Sequence, residues 1–390
     1  MNSKGKLTML KELKKAYLQK MFPQEGEKVP RVRFEGFSEE WEERKLGEIA
    51  PFQRGFDLPK SEMKTGEYPV VMSNGINGFH SEYKAKAPGV ITGRSGTIGN
   101  LHYVEKDYWP HNTTLWVTDF NGNFPQFIYY LYSKVDLGRF GTGTGVPTLN
   151  RNYVHDENVF IPCVPEQTAI GNFFRKLDEL ITCHQCKLDS LKALKKACLQ
   201  QMFPQNGENA PRLRVAGFTG GWERKKLGEV ASFRRGSFPQ PYGFPEWYDE
   251  ENGMPFVQVV DVGNDLRLVD DTKQKISELA QPKSVYVPKG RVVVTLQGSI
   301  GRVAVTQYPS YADRTLLIFE DYNIATDEYF WAYVIQQKFD IEKQVAPGGT
   351  IKTITKEVLS DFLVSLPNLP EQTAIGSFFR TLDNLITLHS

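Results

Sequence analysis

The chain has 390 residues, of which 40% are hydrophobic and 24% charged, as in a soluble globular protein of two or three domains. Its formal net charge of +1 excludes a polybasic tail or a strongly cationic body, but it allows a local basic face. No run of 18 apolar residues predicts a membrane span, and the N-terminus lacks the apolar stretch of a secretory signal. The four cysteines do not form a disulfide framework, so we expect a reducing compartment and therefore the cytoplasm.

The chain contains an internal repeat in two parts. Lys6–Gly55 aligns without gaps on Lys187–Gly236, and thirty-one of these fifty positions are identical. Pro162–His184 aligns on Pro367–His389, and seventeen of these twenty-three positions are identical. The segments between these blocks diverge. The pattern predicts two similar connectors with one shared role, joining two modules with different surfaces.

The first segment, residues 1–48, begins with a helical pattern in which Leu7 and Leu10 occupy the apolar face. It ends in a connector that reads W-E-x-x-K-L-G-E. Residues 49–160 form the first module, where short β-rich runs such as Tyr68–Met72 alternate with turns and with a helical stretch at Pro125–Lys134. This mixture predicts an α+β (mixed α/β) fold.

The first module carries polar side chains, in turns or beside loops, that could contact base edges or phosphates. They are Ser73, Asn74, Arg94, Ser95, Thr97, His111 and Asn112. Each of these residues taken singly could also be an ordinary surface residue. The Gly-rich run Gly141–Gly145 is interpreted either as a tight loop near a ligand or as a plain turn.

The central segment, residues 161–229, is predicted to contain one long helix from Glu166 to Met202, followed by the helix-ending Pro204. At 1.5 Å per residue such a helix is roughly 55 Å long. Its apolar residues recur at alternating steps of four and three, which predicts a coiled-coil seam. The seam residues are Ile170, Phe174, Leu177, Ile181, Leu188 and Leu191. The alternative is that separate amphipathic helices each pack on their own module.

Residues 230–365 form the second module, with β-rich runs at Val257–Val260, Arg291–Leu296 and Thr315–Phe319 and a helix at Asp327–Lys338. Its candidate contact residues are Gln258, Gln297, Ser299, Arg302, Arg314, Lys352 and Thr353. Charge does not favour nucleic acid in either module. The first has ten basic and ten acidic residues, and the second has fourteen basic and eighteen acidic residues, a net of −4.

The last segment, residues 366–390, repeats the first half of the central helix. Its seam residues are Ile375, Phe379, Leu382 and Ile386. They continue in phase with Leu7 and Leu10 of the first segment, so we expect the second long connector to be split between the two ends of the chain. The predicted architecture is two modules joined by two long antiparallel coiled-coil helices, with a pseudo-twofold, circularly permuted repeat.

Catalytic motifs are missing from the sequence. There is no G-x-x-x-x-G-K-[ST], G-x-S-x-G or H-E-x-x-H motif, and the chain has only six histidines. His184 and His389 lie on the predicted seam, where a polar residue that sets the register of the helices is favoured over a metal ligand. Cys183 and Cys186 have no counterparts in the repeat and are interpreted as structural thiols. We therefore expect no catalytic residue, metal site or cofactor in this chain.

The connector motifs identify a family. P-E-Q-T-A-I-G-x-F-F-R-x-L-D-x-L-I-T, followed by L-K-K-A-x-L-Q-x-M-F-P and W-E-x-x-K-L-G-E, closely resembles the specificity subunits of type I restriction–modification systems. The resemblance covers essentially the whole chain. In the modules it rests mainly on the S-G-T-I-G and Q-G-S-I-G loops and on overall size. The split of the second connector departs from the usual arrangement of the family, and a rearranged or truncated allele is the alternative explanation.

The resemblance implies that the two modules are target recognition domains, each reading one half of a bipartite site in double-stranded DNA. It implies that the connectors space the modules and dock two methyltransferase subunits, which use S-adenosylmethionine to methylate adenine at N6. Restriction subunits using ATP and Mg would complete the complex. The target bases do not follow from the sequence. A scaffold that spaces two ligand-binding modules, and an enzyme with an unrecognised site, are the competing hypotheses.

Overall fold

The computed structural model of the chain describes residues 5–142, 147–205, 207–345 and 356–390. It divides into two compact units. The N-terminal unit is Lys6–Gln185, and the C-terminal unit is Cys186–Ser390 together with Gly5. Both units combine helices with small sheets, which confirms the expected mixed α+β class.

The N-terminal unit contains the first half of the elements. In chain order they are α1 (Lys6–Lys20), β1 (Glu42–Lys45), α2 (Leu46–Ile49), β2 (Phe52–Arg54), β3 (Tyr68–Met72), β4 (Gly75–His80), β5 (Gly89–Gly93), β6 (Leu101–Val104), β7 (Trp109–Pro110), β8 (Thr114–Val117), α3 (Pro125–Lys134), β9 (Gly141–Thr142), β10 (Thr148–Leu149), α4 (Arg151–His155) and β11 (Asn158–Ile161). Helix α5 (Val164–Gln201) begins in this unit and ends in the C-terminal unit.

The C-terminal unit repeats this order after α5. Its elements are β12 (Glu223–Lys226), α6 (Leu227–Val230), β13 (Ala231–Arg235), β14 (Met254–Val257), β15 (Gln274–Ile276), β16 (Val285–Val287), β17 (Val292–Thr295), β18 (Val303–Val305), β19 (Ser310–Ala312), β20 (Leu316–Tyr322), α7 (Glu328–Val345), α8 (Lys356–Ser360), β21 (Leu363–Leu366) and α9 (Leu369–His389).

The two units share one sheet topology. The antiparallel sheet β2-β8-β5-β6 of the N-terminal unit corresponds to β13-β20-β17-β18 of the C-terminal unit. A second sheet, β4-β3-β7, corresponds to β15-β14-β19 with β16 added at its edge. In both units this second sheet contains one parallel pair, β3 with β7 and β14 with β19. The divergent modules therefore have the same architecture.

The core of each unit is built on matching aromatic residues. Phe22 stacks on Phe127 with ring centroids 5.6 Å apart, and Phe203 stacks on Phe330 at the same distance. Phe22 and Phe203 lie in the repeated M-F-P-Q motif that follows a connector helix. Aromatic burial supplies much of the hydrophobic free energy of a core, so each connector is fixed to its module through this motif.

Helix pairing follows the same pattern in each unit. In the N-terminal unit, Lys14 of α1 forms a 2.6 Å ion pair with Asp178 of α5, and the Tyr17 and Phe173 rings are 5.2 Å apart. Residue numbers rise along one helix as they fall along the other, so α1 and the first part of α5 are antiparallel. In the C-terminal unit, Lys195 of α5 forms the equivalent 2.6 Å ion pair with Asp383 of α9.

The ion pairs lie over buried tyrosines of the modules. Tyr130 donates its hydroxyl to Asp178 at 2.7 Å, and Tyr333 donates its hydroxyl to Asp383. Lys14 and Lys195 lie 5.4 Å and 5.2 Å from the centroids of these two rings. The helices thus contact one another and the module at the same points. Within each unit the connector helices therefore contact both one another and the module, whereas the continuous coiled-coil seam stays a prediction.

The predicted seam residues are all at least half-buried. Those that are buried are Leu7, Ile170, Phe174, Leu177, Leu188, Ile375, Phe379 and Leu382. Those that are half-buried are Leu10, Ile181, Leu191 and Ile386. Gly5 lies against Ser390, since a Cβ built on Gly5 would be 2.2 Å from the Ser390 carbonyl carbon.

Two sequence-based boundaries are wrong. The strand expected at Val257–Val260 ends at Val257, because Asp261 accepts a 2.8 Å hydrogen bond from the Gln258 backbone and closes a 3₁₀ turn over Val259–Asp261. The second-module helix continues to Val345 rather than ending at Lys338. In the Gly-rich run, Gly141–Thr142 pairs with Thr148–Leu149, and positions 143–145 lie outside the described residues.

Candidate nucleic-acid interface

In the N-terminal unit, three loops meet where the two sheets adjoin. The Arg94 backbone donates to Thr113 at 2.8 Å, which joins the β5–β6 loop to the β7–β8 turn. The His111 backbone donates to the Val71 carbonyl at 2.9 Å, which joins that turn to the end of β3. Ser73, in the turn after β3, completes the group because its Cβ lies 3.2 Å from the position a Cβ would take on Gly93.

Gly93 explains how tightly this group packs. A Cβ at Gly93 would lie 1.8 Å from the Thr97 carbonyl oxygen, so any side chain there would displace the loop. The S-G-T-I-G motif is therefore a compact loop that presents Ser95, Thr97 and Arg94 beside the neighbouring turns. The Leu149 backbone donates to the Arg94 carbonyl at 2.7 Å, so the residues that follow the Gly-rich run also pack against this group of loops.

All seven candidate residues of the first module belong to this group of loops. Asn74 and Thr97 are exposed, and Ser73, Arg94, Ser95, His111 and Asn112 are half-buried. Asn112 donates its amide to Asp57, which also pairs with Arg54 at 3.2 Å. Asp57 is not among the residues predicted from the sequence, because nothing near it in the chain marks it as a partner of a turn distant in sequence.

His111 is neutral at physiological pH. Burial lowers the pKa of its imidazole below the ordinary value, although the nearby Asp57 carboxylate and a backbone hydrogen bond with Leu58 oppose the shift. Its Nδ1 lies 3.0 Å from the Thr113 hydroxyl. A neutral imidazole offers one donor and one acceptor, so His111 can take part in hydrogen-bond readout without adding charge.

The C-terminal unit repeats the same backbone bonds. The Thr295 backbone donates to Arg302, as Gly93 donates to Asn100. The Leu296 backbone donates to Thr315 at 2.8 Å, as Arg94 donates to Thr113. The Asp313 backbone N–H donates to the Val257 carbonyl at 3.0 Å, as the His111 backbone N–H donates to the Val71 carbonyl. These bonds define equivalent positions in the two modules: His111 corresponds to Asp313, and Asn112 to Arg314.

Four side chains of the second module form a connected polar cluster. The Arg314 guanidinium carbon lies 5.6 Å from the centroid of the Tyr242 ring, and the Tyr242 hydroxyl donates to the buried Asp313 carboxylate. Gln258 donates its side-chain amide to the Tyr242 hydroxyl at 3.4 Å. Burial, and then the hydrogen bond to Asp313, raise the pKa of Tyr242, so its hydroxyl remains protonated.

The other candidates of the second module occupy different surroundings. Gln297 and Ser299 are exposed on the β17–β18 loop, beside the Thr315 backbone. Arg302 points inward, and its guanidinium donates to the Val262 carbonyl at 3.4 Å. Lys352 and Thr353 lie outside the described residues. Tyr242 and Asp313 were missed by sequence analysis, because a tyrosine and an aspartate in loops carry no distinctive spacing.

The two loop groups offer hydrogen-bonding side chains and cations. Within the described ranges, no carboxylate lies at ion-pair distance from Arg94 or Arg314, so both guanidiniums are available to a ligand. Among the same residues, no cluster of three or more histidines, cysteines or acidic residues could hold a metal ion. No helix in the described part of the chain is long and apolar enough to cross a membrane.

Comparison with known proteins decides the family. The model of the type I restriction modification DNA specificity domain matches the chain twice, over residues 38–193 and 219–390. The chain belongs to this family. Its two specificity domains correspond to the two modules with their flanking connectors, and the loop groups described above lie one in each domain.

Two relatives have similar sequences, and one solved structure has a similar fold. The MjaVIII specificity subunit of a type I restriction enzyme from Methanocaldococcus jannaschii is 22% identical over 263 residues, covering 63% of this chain and 60% of the relative. The EcoR124I/EcoR124II specificity subunit from Escherichia coli is 24% identical, covering 80% of this chain and 77% of the relative. The fold is similar to that of the S subunit from M. genitalium, with a TM-score of 0.64, 14% identity, and 90% and 91% of the two chains covered.

Proposed function

We propose that this chain is the DNA-reading subunit of a type I restriction–modification complex, and that each specificity domain reads one half of a bipartite site in double-stranded DNA. One observation carries the proposal: two modules of the same architecture present different polar side chains at equivalent positions. His111 and Asn112 in the first module occupy positions equivalent to those of Asp313 and Arg314 in the second.

The chemistry of these side chains fits the reading of bases. Asn and Gln can form paired hydrogen bonds with adenine in the major groove, and Arg can do so with guanine. Unlike side chains on a common frame would recognise unlike base sequences, which produces an asymmetric bipartite site. The modules correspond to residues 49–160 and 230–365, and residues 1–48, 161–229 and 366–390 serve as connectors.

The partners follow from the same proposal. Two methyltransferase subunits, supplying S-adenosylmethionine chemistry at adenine N6, would dock on the connector helices, and restriction subunits using ATP and Mg would complete the complex. The central connector Lys187–Glu229 has nine basic and four acidic residues, a net of +5, whereas neither module is basic. Phosphate attraction therefore comes mainly from the connector and the partners, and base contacts come from the module loops.

The test is methylome sequencing of cells that contain this chain with its methyltransferase partner. The expected result is a bipartite motif with methyladenine in each half. Exchanging residues 230–365 for the module of a different specificity subunit should change one half of the motif and leave the other intact. A continuous motif, or a motif that the exchange leaves unchanged, would contradict the proposal.

A further inference from the structure

We infer that Arg314 reads a guanine in the half-site recognised by the second module, and that the Tyr242 ring and the Asp313 carboxylate position it for this contact. The inference rests on the proposed function and adds to it a specificity-determining residue with the base that it recognises. The observation behind it is an exposed arginine that lies over a tyrosine ring, whose hydroxyl is hydrogen-bonded to a buried carboxylate.

The support beneath Arg314 is fixed on both sides. Asp313 is 2% exposed, and its carboxylate accepts hydrogen bonds from the Tyr242 hydroxyl and from the Thr315 backbone, the latter at 2.9 Å. Tyr242 also packs its ring on Phe238, with centroids 5.0 Å apart. A ring that is hydrogen-bonded at its hydroxyl and packed against a second ring is restrained, so it forms a platform.

Arg314 lies on this platform without an ion-pair partner among the described residues. Its guanidinium carbon is 5.6 Å from the ring centroid, within the range of a cation–π contact. The side chain is exposed, and no carboxylate among the described residues pairs with it. An arginine that is stacked but not ion-paired keeps its planar donor fork for an external partner, and it loses little side-chain entropy on binding.

The location of Arg314 favours a base rather than a phosphate as that partner. Arg314 lies where the β14 and β19 strand ends meet, next to Gln258 and near the exposed Gln297 and Ser299. The same position in the first module holds Asn112, an uncharged amide that hydrogen-bonds with Asp57. A phosphate contact common to both halves would need a donor of the same kind in both modules, whereas a base-reading position is expected to differ. Bidentate pairing with O6 and N7 of guanine is the commonest specific contact of arginine.

The experiment uses the assembled complex of the chain with its methyltransferase partner. The methylome of the wild type defines the two half-sites. In Arg314→Ala we expect the preference for guanine over the other bases to fall by about 5-fold to about 150-fold at one position of the second half-site, which is the range that a bidentate contact supports. The first half-site should be unchanged. Arg314→Gln should shift the preference at that position towards adenine.

A matched control separates reading from general effects of charge. Arg234 is another half-exposed arginine of the same unit, and it forms a 2.6 Å ion pair with Glu320 on the strand surface. Arg234→Ala should leave both half-sites unchanged. Tyr242→Phe keeps the ring but removes the hydroxyl that binds Asp313. It should weaken the guanine preference by less than Arg314→Ala does, because only the positioning is lost.

Binding measurements cover the case in which Arg314→Ala methylates too weakly for sequencing. The wild-type and Arg314→Gln complexes are then titrated with sets of four duplexes that differ only at one position of the second half-site, each guanine position being tested in turn. Equal discrimination by the two complexes would overturn the inference, and so would an unchanged second half-site in Arg314→Ala or a relaxed position that is not guanine. The absence of any bipartite motif in the wild type would instead overturn the proposed function.

Discussion

The buried ion pair between Arg33 and Glu166 offers a quantitative test of how the connectors are joined. Arg33 donates from Nε and Nη2 to the two carboxylate oxygens at 2.9 Å and 2.7 Å. Glu166 is 1% exposed and lies in the first turn of α5. Arg33→Met leaves that carboxylate buried without its partner. Removing one member of such a pair costs about 3–5 kcal/mol, a large part of the stability of a typical domain.

The magnitude separates this pair from an ordinary surface pair. Arg31 and Glu27 also lie 2.9 Å apart, but the arginine side chain is 68% exposed, so solvent screens this pair and Arg31→Met should cost far less than Arg33→Met. Urea unfolding followed by circular dichroism gives the free energies, and limited proteolysis shows which unit opens first. Replacing both charged residues, as in Arg33→Met with Glu166→Leu, should recover most of the loss, because no buried charge remains.

The repeat supplies an independent copy of the experiment. Arg214 and Glu371 form the same forked pair at 2.8 Å in the C-terminal unit, so Arg214→Met should destabilise that unit by a similar amount. A loss of less than about 1 kcal/mol for Arg33→Met would refute the reasoning. A double replacement that is as unstable as the sum of the single ones would refute it as well.

Two further predictions concern the connector and pH. Deleting residues 1–22 removes Tyr17 from the helix pair and Phe22 from the core, so we expect the complex with methyltransferase subunits to fail to assemble in co-purification; an intact, active complex would contradict this role of α1. Burial, and to a smaller extent the positive charge of Arg151, lower the pKa of His155. The Nε2 atom of His155 accepts a 2.8 Å hydrogen bond from the Phe52 backbone. The unfolded chain therefore binds a proton at this histidine more tightly than the folded chain does. The N-terminal unit should lose stability as pH falls below the ordinary histidine pKa of 6.5. Unfolding measured from pH 8 to pH about 5 should show this loss in the wild type and a flatter pH dependence in His155→Gln.

The repeat made much of the architecture predictable. Identical residues at Lys14 and Lys195, or at Arg33 and Arg214, occupy equivalent places because the same local sequence folds in the same way. The long central helix follows from sustained apolar periodicity, and its observed limits, Val164 and Gln201, differ from the predicted ones by at most two residues. Such features depend on neighbours along the chain, which the sequence displays directly.

The composition of the loop groups could not be predicted in the same way. Asp57 meets Asn112 because their neighbours Phe56 and His111 form a bridge between segments distant in sequence. Tyr242 meets Asp313 in a similar way, since the Ser237 backbone before it donates to the Ala312 carbonyl. No spacing rule connects such residues. The position of Arg314 could be singled out as a polar loop residue, but its aromatic support becomes visible only in the folded chain.

A chain with two copies of one module tests the central claim most directly. Residues 49–160 are replaced by residues 230–365, joined at the L-G-E connector motif that both copies share, and the methylome is sequenced in the presence of the methyltransferase partner. If the two modules read DNA independently, the motif should contain the second half-site twice and lack the first. A motif that still contains two different halves would contradict the account.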